Sequence, residues 1–87
     1  MVNAPEDVRN LGCYDYVKRG ERAFHIQTEI TGGERMEIRT TVMEGGRILD
    51  AKIRPYQDRE DDIKKTKDII AAQHSLAVTD VRRGKYD

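Results

Sequence analysis

Residues 23–55 read AFHIQTEI-TGGER-MEIRTTVM-EGGR-ILDAKIRP, three extended runs separated by two glycine pairs. In the first run Phe24, Ile26, Thr28 and Ile30 alternate with Ala23, His25, Gln27 and Glu29. Successive side chains of a strand point to opposite faces, so this is the pattern of a half-buried antiparallel strand. The second run repeats it, with Met36, Ile38, Thr40 and Val42 inward and Glu37, Arg39 and Thr41 outward. In the third, Leu49, Ala51 and Ile53 alternate with Ile48, Asp50, Lys52 and Arg54.

The turns constrain the pairing. Keeping both inward sets on one face allows a three-residue loop, with Thr31 opposite Arg35, or a five-residue loop, with Ile30 opposite Ile38. The longer loop also sets Glu29 opposite Arg39, a favourable outward pair. Gly45-Gly46 suits a primed two-residue turn. That turn pairs Val42 with Leu49, Thr40 with Ala51 and Ile38 with Ile53 on the inner face. On the outer face it pairs Met43 with Ile48 and Glu37 with Arg54. Pro55 lacks an amide proton and ends the strand.

Outward from this block, CYDYVK (13–18) is rich in strand formers and precedes a turn at Gly20. Tyr14 and Tyr16 share one face, read here as the core face, with Cys13, Asp15 and Val17 on the other. Residues 1–12 read as a flexible tail and residues 13–87 as a single domain. After Pro55, Asp58 is a candidate N-cap followed by Glu60, Asp61 and Asp62, which the helix dipole favours. Ile63, Ile70, Ala77 and Val81 recur at helical spacing, and Gly84 suits the position after the helix end. Such a helix would be roughly 37 Å long, against about 26 Å for an eight-residue strand. Its last turns, carrying Ala77, Val78 and Val81, are expected either to overhang the sheet or to meet a partner subunit.

These runs predict an α+β fold: a four-stranded antiparallel β-meander followed by one long C-terminal α-helix packed on one sheet face. The expected core is Tyr14, Tyr16, Phe24, Ile26, Ile30, Met36, Ile38, Val42, Leu49, Ile53, Ile63, Ile70 and Ala77. With 87 residues the chain has room for one domain. A chain this short buries only about 60–65% of its unfolded surface, and dimerisation would bury more.

Sixteen basic and sixteen acidic residues balance to zero net charge. There is thus no global field to draw the chain to nucleic acid or an anionic membrane. Sheets that read single strands need aromatic stacking surfaces, and the expected outer face offers none from Ala23 onward. No apolar run reaches membrane-spanning length, and MVNAPEDVRN lacks the apolar segment of a signal peptide. Cys13 stands alone, without an internal disulfide partner. A reduced, cytoplasmic setting is the expectation.

Candidates for chemistry are few. Cys13, His25 and His74 are the soft metal ligands, and no two of them have helical ligand spacing. No metal or cofactor is expected. A Cys13–His25 pair, read as sharing the outer face, lacks a recognisable third group to orient it. His74 falls on the helical stripe, where a hydrogen-bonded boundary histidine is expected. Neither glycine pair has the spacing of a phosphate loop, and each precedes a strand. His25, Gln27, Glu29, Arg39 and Asp50 form a polar outer-face cluster that could contact a small polar ligand or a partner. Met43, Ile48 and Thr41 on that face suit contact with another protein.

FHIQTE (24–29), GGRIL (45–49) and Gln73-His74 carry a resemblance. The chain from about Tyr14 to Asp87 resembles a family of small uncharacterised bacterial proteins. They have a Y/F-H-hydrophobic-Q-T-E strand, a GG-x-I-L strand and a C-terminal helix with a Q-H pair. Ile30 stands where an acidic residue often follows Q-T-E. The resemblance implies the fold and a bacterial origin, and transfers no catalytic residue. The functional expectation is a non-enzymatic protein-interaction module whose partner is another protein or, in a homodimer, itself. The alternative is a small-ligand or enzymatic site around His25; weak nucleic-acid binding through Lys52, Arg54 and the helix lysines ranks third.

Overall fold

The computed structural model describes residues 12–31, 36–55 and 63–87, apart from the side chains of residues 63 and 64. Four strands, β1 (Cys13–Arg19), β2 (Arg22–Thr31), β3 (Glu37–Glu44) and β4 (Arg47–Pro55), precede one helix, α1 (Ile63–Arg82). The strands form one antiparallel sheet in the order β1-β2-β3-β4. The helix packs against β1, β2 and β3 on one face. This is the expected α+β meander. The tail expected over residues 1–12 lies outside the described residues except for Gly12, as do Asp58 and the acidic first turn expected after it.

The β2–β3 hairpin adopts the longer of the two permitted loops, with Ile30 opposite Ile38 and Glu29 opposite Arg39. Gly45 and Gly46 take φ of +57° and +80°, so the β3–β4 turn is the primed type, open to glycine without strain. The helix ends as Gly84 suggested. Gly84 has φ +89°, its N–H donates to the Val81 carbonyl, and the Lys85 N–H reaches back to Asp80. This is the Schellman arrangement, which satisfies carbonyls the helix end would leave free.

Two strands differ from the sequence reading in the face they present. In β1 the tight turn pairs Arg19 with Arg22, which forces Val17 opposite Phe24 and Asp15 opposite Ile26. Val17 is therefore the buried residue, and Tyr14 and Tyr16 stand on the other face, 58% and 54% exposed. In β4 the turn pairs Met43 with Ile48 as expected, but a bulge at Val42/Met43 then shifts the register by one. Val42 lies opposite Asp50, Thr40 opposite Lys52 and Ile38 opposite Arg54, and not opposite Leu49, Ala51 and Ile53. A one-residue shift inverts every later side chain. Asp50, Lys52 and Arg54 thus belong to the helix side, and Ile53 is 50% exposed on the opposite face.

The core holds Phe24, Ile26, Ile38, Val42, Ile70 and Ala77, as expected, with Val17, Val78 and Val81 added. Leu49 packs partly buried against it, and Ile30 and Met36 are half-buried. Ile63 opens the helix, but its side chain is outside the description. Ala77, Val78 and Val81 neither overhang nor wait for a partner: they pack on Val17, Phe24, Ile26 and Val42. The described helix has 20 residues, about 30 Å, and its C-terminal turns lie over the sheet.

Residues after the helix close one end of the sheet, a role the sequence reading missed. Arg22 grips Glu44 through two bonds, of 2.8 and 2.7 Å, and donates to the Tyr86 carbonyl at 2.7 Å. Arg19 pairs with Asp87 and donates to the Arg82 carbonyl at 2.6 Å. The Tyr86 ring lies near Phe24, and its hydroxyl donates to Asp50 at 2.7 Å. The bond from Tyr86, with a smaller one from the Ala51 amide, holds the Asp50 carboxyl below the usual range. A lone aromatic just beyond a helix-ending glycine was the available signal.

Replacing Ile38, 1% exposed between sheet and helix, with Asp should abolish cooperative folding, because an unpaired charge would be buried. An unchanged melting curve would refute its placement. Tyr86→Phe keeps the ring and removes the bond to Asp50, at a cost of about 1 kcal/mol near neutral pH. Because the folded carboxyl is depressed, this contribution is present above about pH 4 and is lost as pH falls through the folded value. Urea denaturation at pH 7 and near pH 3 should therefore show the variant's deficit shrinking on acidification. A deficit that grew would contradict it.

Candidate functional site

Among the described residues, the helix covers one face of the sheet and the other is open. Cross-strand partners share a face, so the register orders the open side in rows. One row is Tyr16, His25, Met43 and Ile48; the next is Tyr14, Gln27, Thr41 and Ala51; a third is Glu29, Arg39 and Ile53. Strand alternation dictates this set once Val17, Ile26 and Val42 face the helix. All four large hydrophobic or aromatic strand residues that are at least half exposed stand here: Tyr14, Tyr16, Ile48 (66%) and Ile53.

Four of the five residues anticipated for a polar cluster are brought together on this face: His25, Gln27, Glu29 and Arg39. Asp50 is not among them, because the bulge turns it to the helix side and Tyr86 holds it there. His25 is framed by tyrosines. Its Nδ1 bonds the Tyr14 hydroxyl, and the Tyr16 ring meets it edge-on at a centroid distance of 5.2 Å. The Arg39 Nη2 is 4.0 Å from Glu37 Oε1, whereas its Nε is buried with no hydrogen-bond partner among the described residues. Unpaired buried donors are rare and carry a desolvation cost. The tyrosines that frame His25 were missed because β1 was read with its faces exchanged; the parity of the tight turn at Gly20 was the signal.

The covered face carries a second polar arrangement. Asp15 accepts from His74 Nε2 at 2.8 Å, which assigns the ring proton to that nitrogen in the neutral imidazole. Nδ1 then accepts from the Thr28 hydroxyl at 2.8 Å. Thr28 in turn accepts from Thr40 at 2.7 Å, and Thr40 accepts from Gln73 Nε2 at 2.9 Å. Each hydroxyl donates once and accepts once, so the chain is satisfied from the helix through β3 and β2, back to the helix at His74 and on to β1. The expected hydrogen-bonded histidine is thus present, with its side chain only 7% exposed.

Acid, imidazole and hydroxyl in sequence resemble the order of a nucleophilic triad. Thr28 is 0% exposed, however, and its hydroxyl is shared between His74 and Thr40. A nucleophile must reach a substrate carbon, so the arrangement is a structural tie. Cys13 also faces the helix side, opposite Thr28, and therefore away from His25. Burial, with Asp15 nearby, pushes its thiol up, away from the reactive thiolate. Cys13, His25 and His74 do not converge. Among the described residues no group of three His, Cys, Asp or Glu side chains could hold a metal ion, and no helix is long and apolar enough to cross a membrane.

Thr28→Val deletes the central hydroxyl at nearly constant volume and strands two buried partners, costing about 1–3 kcal/mol in urea denaturation. Adding Thr40→Val to it should cost less than Thr40→Val alone, because the two hydroxyls act as one unit. Strictly additive losses would contradict the chain.

Comparison with family models, curated proteins and solved structures finds no match to this chain.

Proposed function

We propose that this chain is a non-enzymatic protein-interaction module whose docking surface is the open face of the sheet. One observation carries the reading: Tyr14, Tyr16, Ile48 and Ile53 all stand on the face the helix leaves bare, each at least half exposed. Large apolar and aromatic side chains left exposed together on one face of a small domain mark interaction sites. Aromatic residues, Met and Arg are also the types enriched where proteins meet, and this face adds Met43 and Arg39. The helix end offers no such surface, since Ala77, Val78 and Val81 fill the core.

A small polar ligand near His25, Gln27, Glu29 and Arg39 is the second reading, supported by the register that gathers these four polar side chains on one face. Nucleic acid ranks third. The outward tyrosines supply stacking surfaces the sequence reading lacked, yet Glu29 and Glu37 share the face with Arg39 and offset its charge.

Affinity capture from lysate of the source organism, with three baits, distinguishes these. The baits are the wild-type chain, the double variant Tyr16→Glu/Ile48→Glu, and Leu76→Glu on the exposed side of the helix. A protein partner, including further copies of the chain, should be retained by the first and third and lost by the second. The same proteins on all three baits would contradict the surface. A retained metabolite lost on His25→Ala, with no protein, would put the ligand reading first.

A further inference from the structure

Resting on the open face as an interaction surface, we infer that its partner is a second copy of this chain, stacked sheet on sheet. The two-fold axis runs parallel to the strands, between β2 and β3. The strand register favours this axis. A rotation about that axis lays β2 of one copy over β3 of the other and β1 over β4, and keeps each cross-strand row over itself.

Every row then meets a complementary row. Glu29 faces the second copy's Arg39, and Arg39 its Glu29. Gln27 lies over the small, buried Thr41, and His25 faces Met43. At the edges Tyr16 lies over Ile48, aromatic on aliphatic, and Tyr14 over Ala51, large on small. Gly12, beside Glu29, leaves room for Ile53. The contacts nearest the axis are the charged and polar ones, and they tolerate the roughly 30° crossing of stacked sheets best. The arriving carboxylate meets the exposed part of the Arg39 guanidinium, whose side chain is 43% exposed.

The other face-to-face symmetry fails the same test. An axis across the strands through the Gln27–Thr41 row lays Arg39 over Met43, which buries a cation against apolar surface without an opposing carboxylate. Size is sufficient as well. Four strands about 4.8 Å apart and seven residues of about 3.4 Å give a field of roughly 19 by 24 Å. Two such fields approach the 1,000 Å² or so of a specific interface once side-chain relief is included. The chain's net charge is zero, so no bulk repulsion opposes pairing.

Charge exchange tests the axis. Glu29→Arg and Arg39→Glu, each alone, set like charges over one another twice per dimer and should weaken self-association roughly tenfold or more in sedimentation velocity. Each single variant also sets like charges opposite one another within its own sheet, so circular dichroism checks that the fold is kept. An equimolar mixture of the two single variants should recover the dimer, because every contact across the mixed interface is again opposite in charge. A dimer indifferent to both substitutions, or single variants whose mixture stays monomeric, would overturn the proposed axis. A wild-type chain that is monomeric at millimolar concentration would overturn self-association, and the interaction module would then stand or fall on the capture experiment. Binding of a single-stranded oligonucleotide by that monomer, lost on Tyr14→Ala/Tyr16→Ala, would assign the face to nucleic acid instead.

Discussion

The buried hydrogen-bond chain Gln73–Thr40–Thr28–His74–Asp15 is the constraint on which the rest of this structure depends. Apolar packing is non-directional, and a helix lying on Val17, Ile26 and Val42 could slide along them at modest cost. A slide of one turn moves a side chain about 5.4 Å, enough to break the three bonds of the chain that Gln73 and His74 make with the sheet and strand their buried groups. Helix register and covered face are therefore fixed together. Asp15 must point at His74, and strand alternation then sends Tyr14 and Tyr16 to the other side.

The opposite edge reaches the same result by a different device. The bulge at Val42/Met43 gives Asp50 to the Tyr86 hydroxyl and leaves Ala51 and Ile53 facing away from the helix. Both edge strands thus place exposed aromatic or aliphatic side chains, Tyr14, Tyr16, Ile48 and Ile53, on the bare face, while the middle strands contribute His25, Gln27, Glu29, Arg39 and Met43. One helix cannot cover both sides of a four-stranded sheet. The molecule carries a finished core on one side and, on the other, a surface with core-like edges and a charged centre. That division explains why polar recognition and apolar burial can act in one contact.

Much of this was legible in the residues, for identifiable reasons. The central hairpin followed from alternation in residues 23–43, because one-sided burial leaves few admissible registers. The helix end followed from Gly84, since few other residues accept its positive φ. The faces of β1 and β4 were misread. A tyrosine is apolar by composition and amphipathic in practice, so CYDYVK fits either face until the parity of its tight turn is applied. A bulge adds one residue without a sequence marker, and its consequence for Asp50 and Ile53 is complete inversion. The polar cluster was recovered except for the residue beyond that bulge. The tie between His74 and Asp15 was hidden because it joins groups 59 positions apart.

The most direct test of the account is an isotope-filtered NMR measurement on a mixture of labelled and unlabelled chains. Tyr16 and Ile48 occupy opposite edges of the same sheet, about 14 Å apart as three strand spacings, too far for a nuclear Overhauser contact within one copy. The account predicts contacts between the Tyr16 ring of one chain and the Ile48 methyls of the other. Their absence in a sample that is demonstrably dimeric would mean that the open face is not where the copies meet.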